Sequence, residues 1–118
     1  MLGRSRYDKV YLACGSTDMR KSINGLAAIV QETFALDLFS ASLFVFCNKN
    51  RDKIKILQWE DCGFWLYYRR LEKGHFQWPK ADSYKPLSVN RRELNWLLDG
   101  LSIEQEHAHA KITVNAVI

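Results

Sequence analysis

Between residues 19 and 35, apolar side chains recur at helical spacing, with Ile23, Leu26, Ala27, Val30 and Phe34 on one stripe. The pattern predicts the main helix there. Asp18 stands just before it, and its carboxylate is suited to accept from the free N–H groups of a first turn. Gly25 lies beside the stripe. A glycine inside a helix costs up to about 1 kcal/mol relative to alanine, so close approach of the helix to a sheet is the expected reason for it. Upstream, KVYLA (9–13) reads as a strand and CGST (14–17) as a turn.

Downstream the rhythm changes to that of strands. LFVFC (43–47), KIKILQW (53–59) and FWLYYRRL (64–71) are separated by NKNRD and EDCG, both with turn chemistry, and predict a meander of two hairpins. In the last strand Trp65, Tyr67 and Leu71 alternate with Phe64, Leu66 and Tyr68, so both faces of the sheet are apolar. Gly74 and Pro79 then break the pattern, and residues 80–87 read as a polar loop. Asn90 and Glu93 have the spacing of a capping box. Leu94, Leu97 and Leu98 give the short helix behind it an apolar face, and Gly100 is placed to end it.

The order β-α-β-β-β-α predicts an α+β fold: an antiparallel β-meander with the 19–35 helix packed on it and a short C-terminal helix over 90–99. Residues 1–101 are expected to form a single domain. For the tail, 102–118, an added strand and disorder remain open. Two helices are few for two apolar faces. The second face is covered either by the second helix and the tail, or by a partner or second copy of the chain.

Composition adds bounds. The chain has 118 residues, 47% of them hydrophobic, enough for one folded domain. No apolar run approaches the ~18 residues needed to span a bilayer, and the N-terminus lacks the apolar core of a signal peptide. Three widely spaced cysteines (Cys14, Cys47, Cys62) fit reduced thiols, and a cytoplasmic location is expected. A net charge of +4 is compatible with an anionic partner.

Three groups of residues invite a chemical reading. Cys14 and Arg20 have the Cys-x5-Arg spacing of low-molecular-weight tyrosine phosphatases. Asp18 inside that loop would repel a phosphate dianion, and no Asp-Pro supplies an acid. A small buried cysteine ending a strand is the better reading, with the phosphatase a remote alternative. His107 and His109, beside Glu104 and Glu106, fall short of a metal site, which needs three or four supported ligands. No metal, cofactor or catalytic constellation is therefore expected.

The third group is basic. In CNKNRDKIKILQW (47–59), Lys49, Arg51, Lys53 and Lys55 crowd one hairpin. Such cations either follow a phosphate backbone or keep a sheet edge soluble. Arg69 and Arg70 point to opposite faces of the next strand, so only one can join a given patch. No base-reading motif is present.

Three stretches occur together in order: DMRKSINGLAAIV (18–30), LFVFCNKNRDKIKILQWEDCGFWLYYRRLEKGHFQWP (43–79) and LSVNRRELNWLLDGL (87–101). They closely resemble the TnpB accessory proteins of the insertion sequence 66 family, products of the second reading frame of these bacterial transposable elements. The resemblance implies a role in transposition beside a separate, larger transposase that carries the acidic catalytic triad. It supplies no mechanism. The expected mechanism is binding, to DNA backbone, to the transposase, or to both. Phosphate contacts are expected from Arg20, Lys49, Arg51, Lys53, Lys55 and Arg69, and partner or core contacts from Trp65, Phe76 and Trp78. A protein-interaction module without DNA contact is the alternative.

Overall fold

A computed structural model describes Tyr7, residues 9–80, residues 85–101 and Ile103. The His107/His109 pair and the candidate tail strand lie outside these residues.

The fold is α+β, with one five-stranded sheet in the order β4-β3-β2-β1-β5. β1 (Lys9–Ser16) leads into α1 (Ile23–Ala28), which a π-helical turn (Ile29–Thr33) continues. The expected meander follows as β2 (Ser42–Cys47), β3 (Lys53–Glu60) and β4 (Gly63–Arg70). β5 (Leu87–Val89) and α2 (Arg91–Leu98) complete the described chain. β2–β3 and β3–β4 are antiparallel. β1 and β2 are parallel, joined by the long crossover that such a pair needs.

Both faces of the sheet are covered. β2 lies at the centre and is buried at all six positions. On one face Phe44, Phe46 and Leu57 pack with Leu26 and Val30 of α1. On the other, Leu43, Val45, Ile54 and Ile56 pack with Leu94 and Leu97 of α2, with Phe76, and with Ile103 beyond the helix. Along β4, Phe64 and Leu66 join the α1 face and Tyr67 the α2 face, as the alternation predicted. The β3–β4 turn has two central residues, Asp61 and Cys62, both at positive φ (49° and 66°), the conformation that matches hairpin twist.

The capping box at α2 is formed as expected. Asn90 Oδ1 accepts from the Glu93 backbone at 2.8 Å, and Glu93 Oε1 accepts from the Asn90 backbone at 3.0 Å. Gly100, at φ +85°, ends the helix.

The sequence expectations need four corrections. First, β1 runs on through Ser16, so CGST is not a turn. A register shift lies between Leu12 and Ser16, and Ser16 still pairs with Cys47. Second, residues 87–89, which were expected to end a loop and lead into the helix, form β5 along the free side of β1. Three residues are too few to show an alternating pattern.

Third, α1 begins at Ile23, not Met19, and Ser22 rather than Asp18 occupies its cap position. The Asp18 carboxylate is engaged with Arg20. The Met19 and Lys21 carbonyls, which a longer helix would use internally, accept from Lys55 Nζ at 2.7 and 2.8 Å. Fourth, Gly25 does not mark contact with the sheet. A Cβ there would meet the Lys21 side chain at 3.2 Å, so this glycine leaves room for the residue one turn earlier.

Candidate nucleic-acid interface

Two loops meet on the α1 side of the sheet. One is the β1–α1 connection, and the other is the β2–β3 hairpin tip. The tip is organised by Asn48, whose Oδ1 accepts from the backbone N–H groups of Asp52 and Lys53, both at 3.0 Å. Its Nδ2 donates to Asp52 Oδ1 at 2.6 Å. This hydrogen bond lowers the Asp52 pKa and ties the tip's one acid to its own turn. Asp52 is thus a local structural device of the tip.

The other loop is closed by Asp18. Its carbonyl accepts from Lys21 N at 3.1 Å, and its Oδ1 from Arg20 N at 2.9 Å. The Arg20 guanidinium grips the same carboxylate through three contacts of 2.7–3.1 Å. These bonds hold the Asp18 carboxyl down at about 2, and they raise the Arg20 pKa in turn. The Arg20 side chain is nonetheless 92% exposed, leaving its outer edge open to solvent. Lys55 binds this loop to the sheet through the two carbonyl contacts described above.

Between the loops lies an open cleft of about 750 Å³. Arg20 lines one wall, Lys49 and Lys53 line the other, and Tyr68 of β4 contributes to the lining. Ser16, Thr17, Asn48 and Asn50 add hydroxyl and amide groups. The cleft thus sets three cations against one acid, and that acid is already paired with Arg20. Cations with neutral donors between them can hold a phosphodiester.

The six cations expected at phosphates divide accordingly. Arg20, Lys49 and Lys53 are brought together. Lys55 lies on the same face but donates to loop carbonyls, and its Nζ lies 5.8 Å from the centre of the Tyr68 ring. Arg51 turns the other way, with its guanidinium 5.9 Å from the Trp78 ring centre and 3.4 Å from the Cys14 carbonyl. Arg69 pairs with Ile54, whose side chain lies in the α2-side core, so it too faces away from the cleft. Arg70 is the arginine on the cleft side, opposite Lys53, and it is bonded to Glu72 at 2.8 Å.

The three aromatic candidates also divide. Phe76 is 2% exposed and belongs to the core. Trp78 is half-buried and donates from Nε1 to the Ala13 carbonyl at 3.0 Å, which closes the 71–78 segment beneath the hairpin. Trp65 is 53% exposed on β4, stacked near Tyr67.

Tyr68 was legible in the sequence only as an alternating apolar residue of a strand, and nothing there marked it as part of a site. Its placement follows from register, because it stands directly opposite Lys55.

The remote phosphatase pairing does not assemble. Cys14 is buried and lines a separate cavity of about 250 Å³, whereas Arg20 lines the larger cleft. Among the described residues, no cluster of three His, Cys, Asp or Glu side chains is placed to hold a metal. No helix among them is long and apolar enough to cross a membrane.

Comparison with known proteins places this architecture. Residues 8–108 match the family model described as IS66 Orf2 like protein. The chain is 33% identical over 101 residues to the uncharacterized protein y4hO of Sinorhizobium fredii (strain NBRC 101917 / NGR234), covering 86% of this chain and 87% of that protein. It is 31% identical over 101 residues to the uncharacterized protein y4jC of the same organism, covering 86% of each. No solved structure matches it. With a family match spanning most of its length, the chain belongs to the IS66 Orf2-like proteins, which are accessory to IS66 transposition.

Proposed function

We propose that the protein is a non-catalytic accessory factor that holds the DNA backbone during transposition of its element. The observation that carries this reading is the convergence of Arg20, Lys49 and Lys53 on one open cleft, from two loops distant in sequence. The Lys55 contacts fix the spacing of those loops. With Lys55, Arg51 and Arg69 directed elsewhere and Arg20 already paired with Asp18, about two to three phosphates are neutralised, and the affinity for duplex falls against salt with a logarithmic slope of about −1.8, and no steeper than about −2.7. Fluorescence anisotropy on element-end duplex at several salt concentrations measures that slope. A flat response, or no binding at low salt, refutes the reading.

Exposed Trp65 supports a second reading, docking of the element's transposase along β4. That strand lies at the end of the sheet, and its outer edge pairs with no strand among the described residues. An edge of this kind can accept a further strand. Co-purification with the transposase, lost in Trp65→Ala, is the expected result. Capture unchanged by that substitution counts against it.

A further inference from the structure

We infer that the cleft takes a single strand of DNA, with one unpaired base stacked on Tyr68 and its flanking phosphates on Lys53, Lys49 and Arg20. The inference rests on the backbone-binding reading above and adds the state of the nucleic acid.

Tyr68 carries it. The residue is 53% exposed and lines the cleft, while its β4 neighbours Leu66 and Tyr67 pack against the two cores. Lys55 Nζ, itself anchored by two backbone carbonyls, lies over the ring at 5.8 Å from its centre. A half-exposed ring in a cation-lined cleft has the chemistry of a stacking platform. Aromatic faces bind bases whatever their identity, and basic walls follow the backbone. In a duplex each base face is covered by its neighbours, so a ring set between two loops meets only sugar and phosphate. An unpaired strand presents its base face to the ring.

The surrounding register fits this. Lys53 lies diagonally across the β3–β4 pair from Tyr68, on the same face of the sheet. That diagonal is about 7–8 Å between backbones, near enough for a nucleotide stacked on the ring to carry its phosphate to the ammonium. Asn50 and Lys49 continue the wall toward the hairpin tip, and Arg20 faces them from the other loop. Polar donors that read no particular base make a sequence-tolerant site, in keeping with the absence of a base-reading motif.

The experiment compares a fluorescein-labelled thymidine oligonucleotide with a duplex of equal length, by anisotropy at two salt concentrations. The single strand is expected to bind more tightly. Tyr68→Ala is expected to lower single-strand affinity roughly 5- to 150-fold, the range for losing one stacked base. The factor should be the same at both salts, because stacking releases no counterions. Tyr68→Phe keeps the ring and is expected to restore the single-strand preference, which separates loss of stacking from misfolding. Equal or stronger binding to duplex, or an unaltered Tyr68→Ala, overturns the inference while leaving backbone binding in place. Free thymidine monophosphate competing as well as the oligonucleotide also overturns it, since the occupant would then be a nucleotide. Failure to bind either DNA removes both readings.

Discussion

Replacing Lys55 by methionine separates a structural role from a phosphate contact. The substitution keeps a long apolar stem and removes only the ammonium. Two hydrogen bonds vanish, to Met19 O at 2.7 Å and Lys21 O at 2.8 Å, along with the contact to the Tyr68 ring. A hydrogen bond involving a charged group contributes about 1.5–3 kcal/mol. Met19 is half-buried, so most of that value is expected for its carbonyl. Lys21 is exposed, and water replaces the second bond at little cost. The cation–ring contact adds about 0.5–1 kcal/mol. The expected loss is about 2–3 kcal/mol.

Urea denaturation followed by tryptophan fluorescence measures it. With a slope of about 2 kcal/mol/M, the midpoint falls by roughly 1–1.5 M while the slope stays unchanged. The same variant informs the interface. If Lys55 acts only by holding the loop, DNA affinity drops but the salt slope is unchanged. If Lys55 meets a phosphate, the slope on duplex becomes shallower by about 0.9. A stability change below about 0.5 kcal/mol, at the level of an ordinary surface substitution, refutes the reasoning. It would mean that water serves the two carbonyls as well as the ammonium does.

Four further outcomes follow from the packing and electrostatics. Phe76→Ala opens a cavity in the α2-side core and is expected to cost about 3–5 kcal/mol in urea denaturation, marking Phe76 as a core residue rather than a partner contact. Asp18→Asn releases Arg20 from its carboxylate and is expected to tighten binding to duplex and steepen the salt slope by up to about 0.9. In the wild type the folded-state Asp18 pKa, about 2, lies below the ordinary 3.8, so its contribution to stability is present above pH 3.8 and lost as pH falls toward 2. A urea midpoint that falls more in wild type than in Asp18→Asn across that window checks the sign. Cys62→Gly places the residue preferred at positive φ in the β3–β4 turn and is expected to raise stability by about 0.5–1 kcal/mol, read from the same denaturation curves.

What could be read in the sequence was whatever depends on local pattern. The meander, the two apolar faces of β4 and the Asn90 capping box each follow from residues within a few positions of one another. Features set by competing contacts depart from the local pattern. α1 starts later than its pattern predicts because a lysine more than thirty residues away takes two carbonyls that an earlier helix start would use. β5 takes its identity from the open side of β1 rather than from its own three residues. Asp18 has the composition of a cap, yet Arg20, two residues on, competes successfully for its carboxylate.

The same distinction governs the site. Cation density along 47–59 pointed to the hairpin, but density does not say which way a side chain turns. Strand register sends Lys53 and Lys55 to the α1 side, and a positive φ of 60° at Arg51 turns the tip so that its guanidinium reaches Trp78. Of the four hairpin cations, one holds a loop, one braces the 71–78 segment, and Lys49 and Lys53 are left to line the cleft. Arg20 faces them from a loop that Lys55 braces against the sheet. The basic hairpin and the Asp-Met-Arg run are therefore joined: the first supplies the ammonium that braces the second, and residues of both line the cleft.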